Sequence, residues 1–417
     1  MLRILGPFAA AILWVSAAAS ARAYSVLTHE AIIDAAWKDN IRPLLLDRFP
    51  AATPEDLRKA HAYAYGGAIV QDMGYYPLGN VLFTDLAHYI RSGDFVLNLL
   101  SEAQSLNDYA FAIGSLAHYA ADNIGHPEAI NKSVPLIYPK LERKFGKVIT
   151  YADDKASHLK VEFAFDVSEV AQAHYAPDAY HDFIGFEVAQ AALERAFLRT
   201  YDLKLSSVLH EEMAIGTFRF SVHSVLPFMT KAAWDLKKDE IQKAEPSMTK
   251  RKFIYNLSRS SYRKRWGRSY REPGLGARIV AFFFRIIPKV GPLKAFAFRP
   301  APPATQKLFM KSMNDALDQY RELLAEQRRG ALKLPNENFD TGEPISPGRY
   351  RLVDSTYARW LEKLSGSQPS AEVRADILRF YSNPNAPDTT KRDEKAWRRV
   401  QSELETLKAE GSAGPEP

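Results

Sequence analysis

Cysteine is absent from all 417 residues, so no disulfide can cross-link the chain and no thiol can serve as a nucleophile. The serine-hydrolase elbow GxSxG and the phosphate loop GxxxxGK[ST] are missing too, which removes two more routes to hydrolysis or phosphoryl transfer. Strand-type alternation of apolar and polar residues is scarce throughout, and the fold class read from the pattern is all-α. Histidine stops at His223, so the C-terminal half offers no imidazole ligand. Apolar runs are short: residues 279–287 enclose Arg285 and cannot span a bilayer, and 4–19 are also short for a span.

What remains is rich in core-forming material. Hydrophobic residues make up 46% and aromatics 12%, enough to bury a substantial interior in one large domain or two to three ordinary ones. The formal charge of +6 suits an anionic substrate or surface. Residues 1–23 have the form of a secretory signal peptide: Arg3, an apolar run, then Ala21-Arg22-Ala23 as the small-x-small cleavage site. Cleavage after Ala23 makes Tyr24 the mature N-terminus and places the protein outside the cytoplasm, secreted or periplasmic. Without disulfides, its stability would rest on the core and on any bound metal ions.

Helical signals then follow one another. Thr28 is a candidate N-cap for a helix carrying Ile32, Ile33, Ala36 and Trp37. Residues 54–69 form an alanine-rich helix that runs into a loop of glycines and aromatics containing Asp72. Asp85 and His88 stand three apart; 95–103 and the stretch after Ser105 and Asp108 make a helical pair. Residues 132–150 read as a loop with one short helix, and Asp153 or Asp154 caps the helix after it. Further helices are expected at 186–201 and 206–228. His61, His174, His181, His210 and His223 are isolated and read as filler.

The chemistry concentrates in the stretch His118-x3-Asp122-x3-His126-Pro127. Residues four apart share one face of a helix, so His118 and Asp122 point the same way. Pro127 should stop that helix at about His126. His158 and Glu162 repeat the i, i+4 spacing. With His29, Asp72 and His88, these make five histidines and three carboxylates in one N-terminal region, a donor set that suits zinc.

On those residues the sequence resembles the zinc-dependent phospholipase C family, which is similar in fold to the S1/P1 nucleases. The resemblance covers residues 24–228 and implies a helical bundle with up to three Zn2+ ions. It puts Asp72, His88, His118 and Asp122 on one zinc, and His126, His158 and Glu162 on a second. The third would take the Tyr24 amino and carbonyl groups, His29 and the shared Asp122. Asp72 is implied as the catalytic residue that orients or deprotonates the attacking water. The implied activity is phospholipase C-type hydrolysis of a phosphodiester in phospholipid by a zinc-activated water. An S1/P1-like nuclease is the alternative, and a non-catalytic, metal-stabilised, membrane-associated protein a second one. Tyr24 replaces the usual tryptophan, the Asp122 to His126 interval is short, and Leu27 stands where choline-preferring lipases carry an acid.

The chain therefore divides into a signal peptide (1–23), a catalytic domain (24–236), a linker (237–303), a helical C-terminal region (304–408) and a disordered tail (409–417). Within the linker, 250–271 carry nine basic and no acidic residues, with aromatics interleaved. The apolar run 279–287 follows, and basic plus apolar-aromatic composition fits a membrane interface. Phospholipid or a membrane surface is thus the expected partner, and nucleic acid is the partner under the nuclease alternative.

Overall fold

The computed structural model describes residues 26–76, 79–171, 187–209, 215–216, 238–239, 242, 299, 301–386 and 394–412. The expected signal peptide, Tyr24, the basic and apolar stretches of the expected linker, His174, His181, His210 and His223 lie outside them. The described chain is all-α, apart from one two-residue strand pair.

The N-terminal helices are α1 (Val26–Ala36), α2 (Arg42–Arg48), α3 (Pro54–Gly67), α4 (Val81–Tyr89), α5 (Ser92–Glu102) and α6 (Leu106–Gly125). After them come α7 (Asn131–Ile137), α8 (Pro139–Phe145), α9 (Lys155–Ala171) and α10 (Gln190–Tyr201). The C-terminal part adds α11 (Pro303–Arg328), strands β1 (Glu337–Asn338) and β2 (Glu343–Pro344), α12 (Arg351–Leu364), α13 (Ala371–Ser382) and α14 (Glu394–Ser412).

Local sequence explains the starts. Thr53 with Asp56 and Ser105 with Asp108 form reciprocal capping boxes on α3 and α6. Asp154 Oδ1 accepts from Ser157 N, so Asp154 rather than Asp153 caps α9. Thr28 is not a cap: the chain is already helical at Val26, and its hydroxyl donates to Asp166 Oδ1 at 2.8 Å while Leu27 N donates to Oδ2 at 3.1 Å. Asp166 on α9 thus does the capping from outside the helix.

Pro127 does not stop the chain's helical course either. α6 ends at Gly125, but a π-type turn, His126–Ile130, carries it directly into α7. Pro127 falls within the first two positions of that turn, where a missing N–H is best tolerated. Residues 132–150 accordingly hold two short helices, not one. The helix expected from Ser206 begins as a 3-10 turn, Leu205–Ser207, with most of its span outside the described residues. The tail expected from Ala409 is helical as far as Ser412, an extension of the turn anchored by buried Leu404 and Leu407.

α6 is the axis, with α3, α5 and α11 packed around it. Its small residues permit the closest approach. A Cβ on Gly114 would lie 2.0 Å from Ala64 O, and one on Gly67 would lie 1.9 Å from Phe111 O, so α3 and α6 touch through their backbones. On another side, Tyr320 on α11 donates to Ile113 O at 3.0 Å. The C-terminal helices share the same hydrophobic core: Trp360 on α12 donates to Tyr201 O at 2.9 Å, and Arg359 pairs with Asp85 at 2.6 Å.

Gly114→Ala tests the α3–α6 seam. Alanine's helix propensity favours the substitution by about 1 kcal/mol. The clash is with backbone that cannot swing aside, and overpacking costs about 1–3 kcal/mol. Thermal denaturation of metal-stripped protein should show a net loss of stability; an unchanged or raised midpoint would contradict the close approach.

Candidate metal centre

The eight described candidates converge. His29 comes from α1, His88 from α4, His118 and Asp122 from α6, and His126 from the π-type turn. His158 and Glu162 lie on α9, and Asp72 on a 3-10 segment, Val70–Tyr75. Three groups have their ligand atoms within 4.8 Å of one another: His29/His118/Asp122, Asp72/His88/His118 and His126/His158/Glu162. All eight residues are at most 3% exposed. Tyr24 lies outside the described residues.

Asp122 is the hub. Its Oδ1 faces His29 Nε2 at 3.5 Å, while Oδ2 faces His118 Nε2 at 3.1 Å, His88 Nε2 at 3.5 Å and His126 Nε2 at 3.9 Å. His88 Nε2 also stands 3.4 Å from Asp72 Oδ1 and 3.4 Å from His118 Nε2. Spacings of this size are those of donor atoms around a common ion bonded at about 2.0–2.1 Å.

Backbone carbonyls fix which nitrogen looks inward. His118 Nδ1 donates to Ala68 O at 2.9 Å, and His88 Nδ1 donates to Thr84 O at 2.9 Å. A carbonyl can only accept, so in both rings Nδ1 carries the proton and Nε2 keeps its lone pair for the centre. The α3–α6 seam has its use here, because it brings Ala68 O within reach of His118. Thr84 also acts through its side chain. Its Oγ1 accepts from Gly74 N at 3.0 Å and so ties down the segment that carries Asp72.

A similar chain fixes His158. Asn131 Nδ2 donates to the carbonyl of Asp340 at 2.7 Å, which turns Asn131 Oδ1 toward His158 Nε2 at 2.8 Å. His158 Nε2 therefore carries the proton, and Nδ1 presents its lone pair to Glu162 Oε1 at 2.6 Å. Two acceptors at that distance need a cation or a proton between them.

The electrostatics agree with a cation site. Burial and neighbouring His118 push His29 down to about 3, and burial likewise depresses His126 and, much further, His158. These rings stay neutral, the form that binds metal. Burial opposes the ionised form of Asp122, but the surrounding imidazoles, His118 foremost, hold its carboxyl well below the usual range. His88 is the exception. Burial disfavours its charge, yet Asp122 and Asp72 on either side raise it to about 10.

The donor set fits zinc on a further count. Among the described residues both oxygens of Asp72, both oxygens of Asp122 and Nδ1 of His126 are buried without a hydrogen-bond partner. Buried polar atoms normally find partners, because leaving one unsatisfied costs about 1–3 kcal/mol and more when charged. Nitrogen and oxygen donors at this density, with no sulfur, suit zinc. His61 stands apart, stacked on Trp37 and bonded to Asp34 at 2.9 Å.

Four participants escaped sequence reasoning. Asn131 is not a ligand-type residue and drew no notice, and the roles of Ala68 and Thr84 are played by main-chain carbonyls that no side-chain motif signals. Asp340 comes from the far C-terminal region, in an Asn338-Phe339-Asp340-Thr341-Gly342 stretch that reads as an ordinary surface turn. It is 2% exposed and its Oδ1 lies 3.5 Å from His126 Nε2.

His88 yields a measurable consequence. Its raised value means the metal-free protein holds that proton at every pH below about 10, and a metal ion must displace it. Titrating zinc into stripped protein at pH 6, below the range near 7 where zinc-bound water ionises, should release a proton from His88. Calorimetry in buffers of different ionisation enthalpy should detect it, and affinity should fall as pH is lowered. Heat independent of the buffer would contradict the paired-carboxylate environment.

Residues 28–211 match the family model described as zinc dependent phospholipase C. No curated protein and no solved structure matches the chain. The match begins one residue before His29 and ends beyond Glu162, so every described candidate ligand falls within it, while Asp340 lies outside. The matched stretch is under half of the chain; it is helical and carries all three ligand groups, and through it the chain is similar to the zinc-dependent phospholipase C family.

Proposed function

We propose that the protein is an exported zinc-dependent phosphodiesterase that cleaves phospholipid in the manner of a phospholipase C, using three zinc ions. One observation supports this most directly. The two oxygens of Asp122 serve different groups, Oδ1 facing His29 and Oδ2 facing His118 and His88, as a carboxylate bridging two metals would. In this reading Asp72, His88, His118 and Asp122 hold one zinc, and His126, His158 and Glu162 a second. His29 and Asp122 hold the third with the Tyr24 amine and carbonyl.

Bound zinc supplies a Lewis acid for the phosphoryl oxygens and brings water near its ionised form at neutral pH. The residues of the chain do the positioning. Ala68 O and Thr84 O hold His118 and His88 with Nε2 inward, so the donor cluster needs no rearrangement before the reaction. Asp72, with both oxygens buried and one 3.4 Å from His88, orients the attacking water and accepts its proton. Tyr75 adds a phenol kept in its neutral form by burial, its ring 6.3 Å from that of His88.

Cleavage after Ala23 belongs to the same proposal, since only a freed Tyr24 amine can bind metal. Export would put the enzyme where phospholipid surfaces are accessible, and the basic, aromatic-rich segment 250–287 would be its contact with them. Among the described residues no helix is long and apolar enough to cross a membrane.

The purified mature protein, given phosphatidylcholine or phosphatidylethanolamine vesicles, should release diacylglycerol and lose that activity with chelator. Turnover of single-stranded DNA with no lipid product would replace this reading by the nuclease. Zinc binding without turnover of any of these substrates would leave a metal-stabilised protein. An extra residue before Tyr24 should cost about one zinc per chain, by the count of ligands at the third site. Unchanged zinc content in that variant would refute the terminal ligand.

A further inference from the structure

The described candidate ligands lie between residues 29 and 162, yet a hairpin from the C-terminal region passes directly over them. Strands β1 and β2 pair antiparallel, Glu337 with Pro344 and Asn338 with Glu343, leaving Phe339, Asp340, Thr341 and Gly342 as the turn. Gly342 adopts a left-handed φ of 67°, and a Cβ there would lie 2.5 Å from Asn123 O at the end of α6. Phe339 N donates to His88 O at 3.3 Å, and its buried ring stands 5.2 Å from that of His88 and 6.0 Å from that of His118. Upstream, Asn336 Oδ1 accepts from Gly93 N and Asp94 N at 3.0 and 3.1 Å, and Glu337 N donates to Ser92 Oγ at 2.9 Å. The hairpin is bonded into the domain along its length.

Its turn delivers Asp340, a buried acid held from several directions. Tyr89 donates to its Oδ2 at 2.8 Å, and Tyr350 donates to the same oxygen. Its own N–H donates to Asn338 Oδ1 at 3.0 Å. Two groups of Asp340 are then directed at the metal centre. The main-chain carbonyl holds the Asn131 amide, which sets the tautomer of His158; the free carboxylate oxygen, Oδ1, faces His126 Nε2.

A carboxylate beside Nε2 favours the tautomer with the proton on that atom, which leaves the lone pair on Nδ1. Among the described residues Nδ1 of His126 has no hydrogen-bond partner. His158 reaches the same arrangement through Asn131. The two rings are stacked, with centroids 5.0 Å apart. Both imidazoles of the His126/His158/Glu162 group thus take their orientation from one residue.

We propose that Asp340 is a positioning residue for the metal held by His126, His158 and Glu162, so that this site is completed by the C-terminal region. The inference rests on the reading that these three residues bind zinc. Outer partners of ligating histidines are typically worth 10- to 100-fold in metal affinity.

The test uses the full mature chain, zinc, and a competing chelator of known affinity. Asp340→Asn keeps the main-chain carbonyl and the side-chain volume but removes the charge facing His126. Asn131→Leu breaks the link from the carbonyl to His158. Each variant should bind one zinc 10- to 100-fold more weakly and leave the others unchanged. Zinc should also raise the unfolding temperature of each variant less than that of the wild type, while Asp340→Asn stripped of metal unfolds near the stripped wild type. Wild-type affinity for every zinc in Asp340→Asn would overturn the proposal, as would equal destabilisation of its stripped and loaded forms. His158→Ala separates the two levels: if it keeps full zinc content, the metal assignment itself fails, whereas loss of one zinc there with none in Asp340→Asn defeats only the role of Asp340.

Discussion

A carboxylate with no access to water needs positive charge nearby, and among the described residues Asp122 has none from lysine or arginine at its side. Its neighbours are four imidazoles, brought by α1, by α4, by α6 itself and by the turn that follows α6. Much of the fold can be understood as the means of holding those rings around that one group. α3 must press against α6 until their backbones meet, or Ala68 O would not reach His118. Asp166 must hold the start of α1, or His29 would have no fixed place. The cluster in turn gives the helices a reason to meet that apolar packing alone would not specify, because apolar contacts are undirected and a ligand sphere is not.

The helical architecture was legible because long periodic segments dominate the chain. Phe309, Tyr320 and Leu324 on α11, and Val353, Tyr357, Trp360 and Leu364 on α12, fall on buried faces as helical spacing demands. The i, i+4 pairs of the centre were legible for the same reason, since the helix itself does the aligning. What failed to show were features set by tertiary partners. Thr28 resembled a cap only because Asp166, distant in sequence, was invisible beside it. Pro127 does coincide with the end of the α-helical pattern at Gly125, but the change to a π-type turn, which lets the chain run on into α7, has no signal in the sequence.

Asp340 was hidden for a different reason. Asn, Asp, Thr and Gly in succession describe a turn, and turns sit at the surface because their backbone needs water. Here the backbone finds its partners inside: Phe339 bonds to His88 O, Asp340 O to Asn131, and Gly342 N to Asn338 O at 2.8 Å. Once those bonds are made by protein, the usual penalty on a buried loop disappears. Composition cannot distinguish a turn solvated by water from one solvated by a domain.

The hairpin also bears on time. The described candidate ligands come from residues 29–162, and the hairpin at 337–344 covers one face of them. With the hairpin unseated, an ion on that side would exchange freely. After the hairpin seats, an ion leaving past it must wait for Ser92, Gly93, His88 and Asn131 to release their bonds to it. On that side, release of a bound ion would require local opening of the hairpin in addition to loss of the metal's own bonds.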